Sequence, residues 1–120
     1  MFDSNRRKYP RANYPCQLTI WLSEGLNETI LANTSNLGTG GLCVHLNQEI
    51  DMGTKVDVQL NFTNPTTPFR CKGVVVRCKK ENAKFFNIGV QFDPLGELKQ
   101  SFLDGKVSEL IALEQKGNKQ

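Results

Sequence analysis

Hydrophobic and polar residues alternate along most of the chain. In PCQLTIWL (15–22), Leu18, Ile20 and Leu22 share one side. LCVHL repeats the pattern with Leu42, Val44 and Leu46, and KVDVQLNF with Val56, Val58, Leu60 and Phe62. TILANTS (29–35), FRCKGVVVRCKK (69–80) and FFNIGVQF (85–92) complete the set of strand-like runs. A period of two marks strands, because successive side chains point to opposite faces. SEGLNE, NQEIDMGT and the Pro-containing TNPTTP read as connections. Short alternating runs at regular intervals predict a mainly β protein, an antiparallel sheet closed into a small barrel or sandwich. Closure also protects strand edges from pairing with other chains.

The period changes near the end. From Pro94 onward Leu95, Leu98, Phe102, Leu103, Val107, Leu110, Ile111 and Leu113 recur at three- and four-residue spacing, predicting an amphipathic helix over 94–116. Gly105 lies inside it and weakens it by about 1 kcal/mol relative to alanine. The stripe Leu103, Val107, Leu110 and Ile111 must be covered, by the barrel or by a partner. The expected organisation is a flexible basic arm over 1–13, a barrel over 14–93 and the helix, with no internal repeat.

Composition narrows the class. A chain of 120 residues, 38% hydrophobic and 22% charged, is one globular domain. No apolar run approaches the ~20 residues that span a bilayer, and MFDSNRRK lacks the apolar stretch of a secretory signal. The expectation is a soluble cytoplasmic protein without a membrane span. Cys16, Cys43, Cys71 and Cys78 form no CxxC pair and His45 is the single histidine. That argues against a metal site and for reduced thiols, mostly buried. No carboxylate pair or nucleophile–base set stands out, so no enzymatic activity is expected.

The charge is concentrated. In residues 1–13 Arg6, Arg7, Lys8 and Arg11 oppose Asp3 alone, while the remainder holds 11 cations and 11 anions. The whole net charge of +3 therefore sits on the arm. NRRKYPRA suits a solvated tail, a nucleic-acid patch or a clamp for a small anion. Pro10 keeps the arm extended or turned, and arginine forks pair bidentately with phosphate and stack on bases. A neutral body and only 8% aromatics speak against DNA or RNA, which wants spread cations and stacking platforms. Arg77, Lys79 and Lys80 make a second small basic patch, read as a solvated strand end or a supporting contact.

In ANTSNLGTGGLCV (32–44) glycines cluster at a strand-to-strand connection, where they permit a tight turn and close approach of a ligand. No helix follows, so this is not a phosphate loop.

Together these features resemble the PilZ domain family, bacterial receptors for cyclic di-GMP. That family carries RxxxR on an N-terminal arm and [D/N]xSxxG on a barrel. RKYPR, Arg7 to Arg11, gives the first motif, and Arg6 suits the frequent RRxxxR form. GLCVHL, GTKVDVQLNF, GVVVRC, NIGVQF and the terminal helix extend the resemblance over residues 6–113. The second motif fits in two registers. Asn33 to Gly38 matches it literally. Asn36 to Gly41 is the favoured alternative, because Gly41 directly precedes an alternating strand. Gly38 then stands where the family usually has serine, with Ser35, Thr39 or water as partial substitutes.

The resemblance implies a six-stranded barrel with a C-terminal helix and cyclic di-GMP as ligand, with no other cofactor. Arg7 and Arg11 would hold phosphate and guanine, with Arg6 a third contact. Asn36 would bond a guanine edge, Gly38 and Gly41 would admit the ligand, and Ser35 would lie nearby. Binding would pin the arm to the barrel and alter the surface seen by an unidentified downstream protein. The chain itself would be a monomer or weak dimer. The competing reading is an interaction module of the same fold that has lost the nucleotide, with Gly38 as its mark.

Overall fold

A computed structural model describes residues 11–22, 29–62 and 67–117. The strands are β1 (Arg11–Ala12), β2 (Gln17–Leu22), β3 (Thr29–Gly38), β4 (Gly41–Leu46), β5 (Lys55–Phe62), β6 (Thr67–Lys80) and β7 (Phe86–Phe92). One helix follows, α1 (Glu97–Gly117). All pairings are antiparallel, in the order β1-β3-β2-β5-β6-β7-β4, and a β3–β4 pairing closes the ring. The closed barrel therefore has six strands, as expected. The two-residue β1 continues the line of β2 along β3, with Ala12 opposite Leu37 and Gln17 opposite Asn33.

Alternation decides which side chains fill the barrel. On β5 Val56, Val58, Leu60 and Phe62 are buried, and Leu18, Ile20, Val44, Ile88 and Val90 meet them from other strands. The helix covers one opening. Leu103 and Val107 are fully buried, and Leu110 and Ile111 pack against the core's edge. The expected apolar stripe is thus covered by the barrel of the same chain. A ring cluster reinforces the seam: Phe102 stacks on Phe69 at 5.8 Å, and Phe62 meets Phe102 edge-on at 6.1 Å. Gly105 sits inside the helix without interrupting it, and a Cβ there would meet open space.

The helix begins at Glu97 rather than Pro94 and β6 at Thr67 rather than Phe69, and two further boundaries differ from expectation near the site. Asn36, Leu37 and Gly38 belong to β3, so the glycine-rich turn shrinks to Thr39 and Gly40. β3 stays paired that far because Leu37 is bridged on both sides, by Ala12 and by Leu42. Arg11 and Ala12, assigned to the flexible arm, form a strand against β3. Trp21 lies under the guanidinium of Arg70, 5.2 Å from its ring centre.

All four cysteines are free thiols. Burial pushes the thiols of Cys16 and Cys71 from 9.0 up to about 11. The folded chain therefore holds these protons to higher pH than the unfolded chain does. Their contribution to stability is complete below pH 9, falls as pH rises, and is gone above about 11. The expected loss is on the order of 2 kcal/mol per thiol. Urea unfolding at pH 8 and pH 11 tests this. The Cys16→Ala/Cys71→Ala double variant should lose less stability over that interval than the native chain. Equal losses would refute the linkage.

Candidate functional site

The site is built by a β-bulge. Thr34 of β3 faces Val44, but the next pair is Asn36 with Cys43, so Ser35 is an extra residue on its strand. In an unbroken pleat Asn36, two residues on, would share the side of Thr34, which points inward and is 3% exposed. The insertion re-aims Asn36 outward, the usual effect of a bulge. Ser35 is held by a hydrogen bond from its Oγ to the carbonyl of Cys43, 3.2 Å.

β1 brings the arm to this spot. Arg11 pairs with Gly38, and its guanidinium donates a hydrogen bond to Oδ1 of Asn36, 25 positions away. The amide of Asn36 donates in turn to Oδ1 of Asn13 at 2.9 Å. Asn13 gives both its backbone N–H and its Nδ2 to the carboxylate of Glu114 on α1, each at 3.1 Å. One chain of hydrogen bonds thus joins arm, barrel and helix. It is open to solvent: Arg11 and Asn36 are half-buried and Asn13 is exposed.

The expected site residues distribute as follows. Arg11 and Asn36 come together. Asn33 pairs with Gln17 lower on β3, away from Arg11's partner Gly38. Gly38 is buried opposite Arg11, and Thr39 is buried with its carbonyl accepting from Nε2 of Gln100 at 2.9 Å. Gly41 opens β4, where an added Cβ would stand 2.3 Å from the carbonyl oxygen of Val90. Its lack of a side chain is already required by barrel packing. Arg6 and Arg7 lie outside the described residues.

Sequence reasoning missed Asn13 and Glu114. Asn13 carried a usable signal, since on an extended arm it falls on the same side as Arg11 two residues earlier. Glu114 carried none, because only the docking of α1 brings it near. On the same outer face Arg77 reaches Sγ of Cys43 at 2.8 Å and Oδ1 of Asn87 at 3.1 Å.

Two grooves lie elsewhere. One of about 630 Å³ runs between Trp21, Arg70, Lys72 and Lys99, and another of about 600 Å³ between residues 14–17 and α1. Neither is lined by Arg11 or Asn36. Among the described residues no three His, Cys, Asp or Glu side chains group as metal ligands. Among them, too, no helix is long and apolar enough to cross a membrane.

The fold is similar to the PilZ domain of YcgR from Escherichia coli solved with c-di-GMP: TM-score 0.75, 15% identity, covering 96% of this chain and 99% of that one. It is similar to the Bacillus subtilis inhibitor of motility MotI/DgrA, with TM-score 0.71 and 17% identity over 96% of this chain and 53% of that one. The K. pneumonia MrkH–c-di-GMP complex matches with TM-score 0.67 and 15% identity, over 95% of this chain and 56% of that one. The chain thus spans about half the length of the last two proteins. No curated protein matches the sequence. The sequence model of the PilZ domain matches residues 5–107, most of the chain. The chain belongs to the PilZ domain family.

Proposed function

We propose that the chain is a receptor for cyclic di-GMP that signals through a partner protein rather than by catalysis. The observation that carries this reading is the contact between Arg11 and Asn36, which unites the arm motif with the barrel motif on an open face. The ligand seen in the YcgR domain and in the MrkH complex supports the choice of dinucleotide. The contact also favours the motif register Asn36 to Gly41 over Asn33 to Gly38. In this reading Arg11 and Arg7 take phosphate and guanine, Asn36 takes a guanine edge, and Arg6 adds a contact. Gly38 leaves one hydroxyl contact unmade, a deficit of about 0.5–1.5 kcal/mol or up to roughly tenfold in affinity.

The test is calorimetric titration of the full chain with cyclic di-GMP at fixed salt. Saturable binding is expected, and absence of heat, together with no rise in melting temperature, would reject the receptor reading. That outcome is the one the interaction-module alternative requires, and Gly38 in place of serine is the observation favouring it.

The bonds from Asn13 to Glu114 suggest how occupancy reaches the partner-facing surface. Ligand that engages Arg11 and Asn36 perturbs Asn13 and hence the end of α1. Cyclic di-GMP is therefore expected to change amide hydrogen exchange in residues 108–117 of the native chain. Glu114→Ala should abolish that change while altering affinity less than about tenfold. An unchanged exchange response in the variant would sever the proposed route.

A further inference from the structure

A second bulge lies on β6. Val75 pairs with Val90 and the next pair is Arg77 with Gly89, leaving Val76 as the extra residue. Val75 points into the barrel at 1% exposure, so in an unbroken pleat Arg77, two residues on, would point inward too. The bulge turns it outward. The registers of β3, β4, β7 and β6 then place Asn36, Cys43, Gly89 and Arg77 in one cross-strand row. Both ends of that row are residues that bulges have re-aimed to the outer face.

Gly89 lets Arg77 use the row. A Cβ at Gly89 would stand 3.2 Å from Cβ of Arg77 and 3.6 Å from its guanidinium carbon. The arginine therefore lies across β7, over the space a side chain would fill, and ends against Cys43 on β4. Its partners there are a thiol and the amide of Asn87, both uncharged. The guanidinium thus stops one strand short of Asn36, a gap of about 4.8 Å, while Arg11 approaches Asn36 from the other side.

We propose that Arg77 is a further contact of the ligand site and adds selectivity for guanine over adenine to that of Asn36 and the arm arginines. Resting on the cyclic di-GMP reading, the assignment adds to the arginines of the arm a cation from the barrel that faces Arg11 across Asn36. Guanine offers O6 and N7 as paired acceptors to an arginine fork, whereas adenine presents an N–H donor in place of O6. The sulfur of Cys43 is a weak acceptor, and both present bonds come from the single nitrogen Nη2, so a guanine edge that engages the whole fork displaces them. Lys79 sits two rows further along, opposite Asn87, and is not part of the contact.

The test compares cyclic di-GMP with cyclic di-AMP by calorimetry on the wild type, Arg77→Ala, Arg77→Lys, Lys79→Ala and Arg11→Ala, with melting temperatures of the free proteins as a folding control. The expected result is at least a roughly tenfold loss of cyclic di-GMP affinity in Arg77→Ala. Cyclic di-AMP binding should be little changed, so selectivity narrows. Arg77→Lys should recover only part of the loss, because lysine lacks the fork, and Lys79→Ala should stay within twofold. Wild-type affinity in Arg77→Ala alongside failure of Arg11→Ala overturns this assignment and leaves the receptor reading intact. Equal losses in Arg77→Ala and Lys79→Ala also overturn it, as general charge attraction. Absence of wild-type binding removes both readings. A measurement without variants is alkylation of Cys43 by iodoacetamide. Saturating cyclic di-GMP should slow it, and an unchanged rate in a chain that binds the ligand counts against the assignment.

Discussion

Arg11→Ala is expected to lose cyclic di-GMP binding at ligand concentrations that saturate the native chain. Hydrogen bonds to a charged group are worth about 1.5–3 kcal/mol each, which is roughly ten- to 150-fold in affinity per contact. The guanidinium of Arg11 also bonds Asn36 in the free protein, so its loss removes one proposed ligand contact and leaves another unpositioned. The free variant should fold normally. Arg11 is half-buried at a two-residue strand, so solvent can replace its bond to Asn36, and the loss stays within the about 1.5–3 kcal/mol of one charge-assisted hydrogen bond. Arg70→Ala is the matched control. It removes the same charge from the groove near Trp21, which Arg11 and Asn36 do not line. Calorimetry at constant ionic strength separates the two. Native-like binding by Arg11→Ala would defeat the placement of the ligand, and equal losses in both variants would reduce the effect to net charge.

Gly41→Ala is expected to be the most damaging substitution to the fold near the site. Its Cβ would stand 2.3 Å from the carbonyl oxygen of Val90 and 3.3 Å from the Cα of Gln91. These are backbone atoms of β7, so no side chain can rotate away. β4 must part from β7, a pairing without which the ring is open. Overpacking typically costs about 1–3 kcal/mol, and a clash with fixed backbone belongs at or above the top of that range. Gly40→Ala, one residue earlier, meets nothing within 4 Å and should be neutral or stabilise by about 0.4–1 kcal/mol. Urea unfolding of the pair provides the measurement. A Gly41→Ala midpoint equal to that of Gly40→Ala would contradict the packing. The comparison bears on function as well, because loss of ligand binding in Gly41→Ala says nothing of a direct contact unless the barrel is still folded.

Inward and outward faces were legible wherever alternation is unbroken. Val56, Val58, Leu60 and Phe62 could be assigned to the core from period two alone, and Leu103 and Val107 from the helical period. Burial of a side chain follows from its neighbours along the chain when the strand is regular. The arm motif and the glycine-rich segment were also visible as residue types, and their likeness to a known family suggested that they meet.

What the residues alone left open was parity and register. Whether Asn36 and Arg77 face solvent depends on single extra residues, Ser35 and Val76, which are extra only relative to the strands beside them. A bulge is a property of a pair of strands, and one strand read by itself does not contain it. The same holds for Gly41, whose necessity comes from Val90, and for Glu114, which meets Asn13 across 101 positions. Local periodicity sets which elements form, because each residue's exposure is decided within a turn or a pleat. The alignment of those elements sets the site, because hydrogen-bond pairing between distant strands chooses which side chains share a row.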